Sequence, residues 1–345
     1  MMTGRERVIH MLNHRAVDVP ALACYVTQCG LYEHGDKLIE LFEGCPDDFR
    51  VKQDYTLSPP KPEDFDSDGN YHIFETDRWG AVWEKRIFGI MGHPVKYPLE
   101  DMSILESYKL PLNIYVGTTD LATFKAEVAE RKKTVYVKEG HVTLFESVHA
   151  MRSFEDVLMD IMEDTPEINR LVDRLCEHFH REVDFLIAAG VDGVNFGDDF
   201  GMETGMLISP AVWRRFFKPR YEEMMRKLKK AGIAIFFHSC GNITDILPDL
   251  AEIGVNSVWT QLSCYKMEIL AAMCRDLNMA ALLHIDRAQV MTKGTTEDVR
   301  RKMDEMVTVF KPHEGGSYLY IEIDNGFPYE NVEALFGEIK RLRTL

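Results

Sequence analysis

Ile233-Ala234-Ile235-Phe236-Phe237-His238-Ser239-Cys240-Gly241 reads as a buried strand that runs into a turn. Five apolar residues in succession, with no polar alternation, suit a parallel strand covered on both faces. The chain around it keeps the same rhythm. Strand-like runs recur at Pro20–Val26, Val135–Lys138, Gly193–Phe196, Val255–Trp259, Met279–His284 and Tyr318–Ile323, with a weaker candidate at Phe49–Lys52. Helical patterns separate them. Ser209-Pro210 is an N-cap followed by proline, opening a helix that stops at Gly232, and Pro219 predicts a kink near Phe216. Thr3 and Glu6 form a capping box for a first helix. Eight short apolar strands alternating with helices predict an α/β fold, a single (β/α)8 TIM-type barrel over residues 1–345. An open doubly wound sheet is the alternative. Residues 53–113 break the rhythm with prolines, a hairpin pattern at Tyr71–Arg86 and the aromatics Trp79, Trp83 and Phe88. They predict an ordered insertion near the N-terminus that walls or caps the barrel.

Bulk properties narrow the function. A net charge of −16 argues against a nucleic-acid partner, whose phosphates need a basic face. No apolar run is long enough to predict a membrane span. The polar, helical N-terminus lacks the apolar core of a signal peptide, and the seven scattered cysteines suit reduced thiols. Together these point to the cytoplasm. Motifs for a serine elbow, a P-loop, a dinucleotide fold or a Cys-x-x-Cys site are absent.

In a parallel barrel, chemistry sits where strands end at the C-terminal face. His238 and Cys240 lie two apart and so share a face there. Imidazole and thiolate together suit zinc, with one position left open for substrate. A buried His and Cys without metal is the plainer alternative. At the last strand, Glu322 and Asp324 are candidate third ligands. Asp198 and Asp199 follow another strand, with Glu203 just beyond. Asp199 or Glu203 could act as an acid, and Asp198 could touch substrate. Tyr25, Trp79, Glu146, His149, Gln261 and His284 complete the candidate substrate-binding residues.

Several stretches together resemble the uroporphyrinogen decarboxylase superfamily. They are Gly197-Asp-Asp-Phe-Gly-Met-Glu-Thr-Gly205, Ile208-Ser-Pro210, Phe217-Lys-Pro-Arg-Tyr221, Phe237-His-Ser-Cys-Gly241 and Pro248-Asp-Leu-Ala-Glu-Ile-Gly-Val255. The resemblance spans nearly the whole chain and implies one distorted (β/α)8 barrel. Its decarboxylases carry an arginine motif just after the first strand. Here that place reads Tyr25-Val-Thr-Gln-Cys-Gly30, without arginine. The other branch comprises corrinoid-dependent methyltransferases, which hold zinc through a histidine and cysteine at this strand end and a cysteine on the last strand. His238 and Cys240 match; Asp324 or Glu322 stands where the last cysteine would be. A carboxylate in place of a thiolate makes the metal a harder Lewis acid, suited to an oxygen ligand. The resemblance therefore implies a zinc-assisted O-demethylating methyltransferase. Its methyl donor would be small, a methoxylated aromatic by this argument, and cobalamin would be carried by a partner corrinoid protein. A homodimer is a further expectation. The competing expectations are a decarboxylase, with arginines or lysines lining the mouth, and a non-catalytic binding barrel.

Overall fold

The computed structural model describes residues 1–344. Seven parallel strands form one curled sheet: β1 (Leu22–Tyr25), β5 (Lys138–Val142), β6 (Gly193–Gly197), β7 (Ala234–Ser239), β8 (Ser257–Thr260), β9 (Ala280–His284) and β10 (Ser317–Glu322). Their order is β1-β10-β9-β8-β7-β6-β5, so β1 and β5 are the two edges. A short antiparallel sheet, β2 (Ile73–Thr76), β3 (Val82–Lys85) and β4 (His93–Lys96), lies in the expected insertion.

The barrel is closed by a segment that is not a strand. Asp48 donates its N–H to the Leu22 carbonyl (2.9 Å) and accepts at its own carbonyl from Tyr136 N–H (2.8 Å). Those two bonds span the gap between β1 and β5. The Asp48 carboxylate accepts from Leu22 N–H (2.8 Å) and Arg343 (2.7 Å), and pairs with Arg7. No strand forms at the expected Phe49–Lys52; the residue just before it, Asp48, makes the ladder bonds alone. The strand expected at Val135–Lys138 begins only at Lys138, because the residues before it pair with Asp48 and Asp192 side by side with the gap. Elsewhere the strands fall within two residues of the expected bounds, and a barrel replaces the open-sheet alternative.

The capping box at Thr3 and Glu6 forms. Ser209 caps Val212 N–H, and the expected kink is a break: one helix ends at Phe216 and the next, Lys218–Ala231, starts after Phe217. Val8 and Met11 of the first helix plug the lower end of the barrel against Ala23, Phe49, Phe236 and Tyr318. The insertion is bound to the long helix Pro166–Ala189. Trp79 packs edge-on to His178 (5.7 Å), and Asn113 donates to the buried Glu182 (3.2 Å). All seven cysteines are free thiols, and no helix among the described residues is long and apolar enough to cross a membrane.

Lys138 points into the barrel, its ammonium 5.0 Å from the Phe49 ring centre and 4.8 Å from that of Phe236. Burial pushes its pKa down to about 8, and it has no ion pair among the described residues. The folded state then binds fewer protons than the unfolded chain between about pH 8 and the usual lysine pKa of about 10.4, so stability rises with pH in that window. Lys138→Met is expected to raise stability at pH 7 by about 1–3 kcal/mol, with the gain shrinking towards pH 10. Thermal melts at the two pH values check this; an equal gain at both would show that charge is not the cause.

Candidate active site

Each strand end contributes to the mouth through a local device. β7 delivers His238 as its last inward residue, and the chain then turns at Gly241 with φ +67°. Gly241 crosses Gly201 of the loop after β6 at close range: a Cβ on Gly241 would lie 2.2 Å from the Gly201 carbonyl carbon. Asn242 N–H donates to the Met202 carbonyl (2.7 Å), and Phe200 N–H donates to Ser239 Oγ (3.0 Å). Gln261 accepts from Gly241 N–H (3.3 Å). These ties lock two loops together, and with them the side chains they carry.

Three of those side chains converge. Asp199, His238 and Cys240 offer ligand atoms that all lie within 4.8 Å of one another. His238 Nε2 is 3.6 Å from Cys240 Sγ and 3.5 Å from Asp199 Oδ1. Zinc bond lengths of about 2.1 Å to nitrogen and about 2.3 Å to sulfur, at a tetrahedral angle, place those two atoms about 3.6 Å apart. The donor set fits. His238 Nδ1 lies 2.9 Å from the Trp259 carbonyl, which fixes that nitrogen as the protonated one and leaves Nε2 free to ligate. Burial, followed by the Asp199 charge, pushes the Cys240 thiol up to about 12. Only a cation would make it a thiolate at neutral pH.

The other expected residues are placed as follows. Asp198 is buried beneath the cluster, accepting from Leu144 N–H (2.8 Å), Glu146 N–H (2.7 Å) and Tyr221 Oη. It caps the helix Leu144–Met151 from the neighbouring strand end, which makes it a buried support for the site. Glu146 accepts from Asp199 N–H (3.3 Å) and pairs with His149 (3.1 Å), so both stand behind Asp199. Glu203 is exposed on the loop after β6, where its charge bears on Cys264, and is not part of the three-residue group. Glu322 and Asp324 face Arg287, at 3.6 and 3.0 Å, and are not part of the three-residue group. His284 sits beside Glu322 (3.9 Å) and edge-on to Tyr320 (4.9 Å). Tyr25 stands at the rim under Arg50. Trp79 lies on the outer helix, away from these strand ends.

One residue at the mouth has no counterpart in the sequence reasoning. His141 approaches His238 over Gly197: the point where a Gly197 Cβ would sit is 3.4 Å from His238 Cβ and 3.8 Å from His141 Cε1. The signal was Gly140. A glycine inside a strand marks a bulge that re-aims the next side chain.

The family model described as Uroporphyrinogen decarboxylase (URO-D) matches residues 93–342. A methyltransferase from Methanosarcina mazei has a similar fold, with a TM-score of 0.65 at 16% identity over 100% of both chains. A dihydropteroate synthase from Anaplasma phagocytophilum is more distant, at TM-score 0.39 and 15% identity over 60% of this chain and 74% of that one. No curated protein sequence matches. With the family model covering well over half its length, the chain belongs to the uroporphyrinogen decarboxylase family.

Proposed function

We propose that this protein is a corrinoid-dependent methyltransferase that takes a methyl group from a small methoxylated, preferably aromatic, donor. The observation that carries the proposal is the Asp199–His238–Cys240 cluster at the C-terminal mouth of the barrel. A family model and a full-length fold match to an archaeal methyltransferase support it. Zinc held by these residues would polarise the donor's oxygen, and the cobalt of a reduced corrinoid on a partner protein would receive the methyl group.

The protein's own residues supply the rest. The Trp259 carbonyl orients His238, and Glu146 holds the backbone of Asp199. Asp199 accepts from Cys240 N–H (2.7 Å) as well as facing His238, so one carboxylate both ligates and fixes its neighbour. With one thiolate, one imidazole and one carboxylate, the set is harder than a thiolate-rich one and favours oxygen over sulfur donors. The carboxylate that gives this hardness is Asp199 in this proposal, with Glu322 and Asp324 serving Arg287.

The decarboxylase reading needs free cations at the mouth. Arg287 is paired with two acids, Lys138 lies deep between two phenylalanine rings, and Arg50, over Tyr25 at the rim, is a single cation where a carboxylate-gripping set needs several. Methyl transfer is therefore the better-supported activity. The test is methylation of cob(I)alamin by the zinc-loaded protein, followed spectroscopically, with methoxyarenes, methanol, methylamines and methylthiols as donors. Turnover with methoxyarenes is expected. Turnover with thiols alone would overturn the oxygen preference, and none with any donor would sink the proposal.

A further inference from the structure

The bulge at Gly140 is built, not incidental. The β5–β6 register slips between Glu139 and Val142, and Gly140 adopts φ +77° where a Cβ would lie 2.8 Å from Leu186 Cδ1. Its N–H donates to Tyr115 Oη (3.1 Å), and His141 N–H donates to Glu182 Oε1 (3.2 Å). Glu182 is 2% exposed, a buried carboxylate that holds this backbone amide with one oxygen and Asn113 of the insertion with the other. Such an arrangement costs desolvation and needs a return. The return is the direction of one side chain. The slip turns His141 inward, over a glycine that leaves room for it, beside His238. Its imidazole has no hydrogen-bond partner among the described residues and the residue remains open to solvent. It falls outside the three-residue ligand group and so remains available to a substrate atom.

We propose that His141 is a catalytic residue of this site, donating a hydrogen bond to the ether oxygen of a methyl aryl ether and to the phenolate that leaves. The inference rests on the methyltransferase reading above. The electron pair of the reduced corrinoid's cobalt forms the new bond to the methyl carbon. The C–O pair stays with the oxygen as that bond breaks, and the imidazole N–H meets the charge that develops there. No oxidant is needed. A sulfur leaving group accepts hydrogen bonds poorly, so the same N–H selects for oxygen.

His141→Phe and His141→Gln test this on the zinc-loaded and the cobalt(II)-substituted protein. Phenol, the product class, is titrated against the visible bands of the cobalt protein, a readout that involves no methyl transfer. Losing a hydrogen bond to a charged oxygen corresponds to about 10- to 100-fold in affinity. Phenol binding is expected to weaken by that factor in His141→Phe and by less than about threefold in His141→Gln, which keeps an N–H donor. Zinc content is expected to be equal in all three proteins. Unchanged phenol affinity in His141→Phe, absence of phenol binding to the wild type, or loss of zinc from His141→Phe would each overturn the proposal. Intact phenol binding with no turnover of any donor would sink the methyltransferase reading and leave His141 as a phenol-binding residue.

Discussion

Cys240→Ala is expected to lose zinc and activity together while the fold stays intact. Cys240 is only partly buried and its side chain ends in the mouth, so its removal opens no large core cavity. Its contribution is to the ligand set. Altering partners that merely orient ligands already lowers metal affinity by about 10- to 100-fold, and removing a ligand costs more. Zinc per chain is therefore expected to fall from near one to near zero after dialysis, with an unchanged circular dichroism spectrum. Two companions locate the third ligand. Asp199→Asn is expected to weaken zinc strongly, whereas Glu322→Gln is expected to leave it in place. Zinc retained in Asp199→Asn and lost in Glu322→Gln would move the ligand to the last strand. Equal, negligible zinc in wild type and Cys240→Ala would end the metal hypothesis.

Gly241→Ala is expected to cost about 3–5 kcal/mol. Two independent penalties add. The left-handed φ of +67° strains any residue with a Cβ, and the added carbon meets Gly201 backbone at 2.2 and 2.4 Å. Backbone cannot rotate away as a side chain could. Because the crossing sets Cys240 against Asp199, relief by loop movement would also spread the ligand atoms. Urea unfolding measures the loss against a typical total of about 5–15 kcal/mol. A change below about 1 kcal/mol would show that the two loops can separate freely.

Most of the barrel was legible because its strands are unbroken apolar runs, and their period survives any tertiary context. The weak eighth strand was not, since what closes the ring is the side-chain and backbone chemistry of a single aspartate, Asp48, and hydrophobic pattern carries no trace of it. At the site, spacing correctly paired His238 with Cys240, because residues two apart on a strand must share a face. Partners from different strands are another matter. Glu322 and Asp324 sat at a suitable strand end, but the sequence does not announce that Arg287 would claim them. Asp199, considered as an acid, proves to be the carboxylate beside the imidazole. His141 was hidden by alternation itself: counting from Lys138 puts it outward, and only the bulge reverses that.

The reliance on Asp48 to close the ring also bears on how the molecule assembles. Strands β5, β6 and β7 pair with chain neighbours, so their contacts reward early, short-range encounters. The seam needs Asp48 set between Leu22 and Tyr136, and its carboxylate is held in turn by Arg343, 295 positions away. Loop entropy must be met in full before that junction gives anything back. Ring closure is thus expected to follow the pairing of β5, β6 and β7.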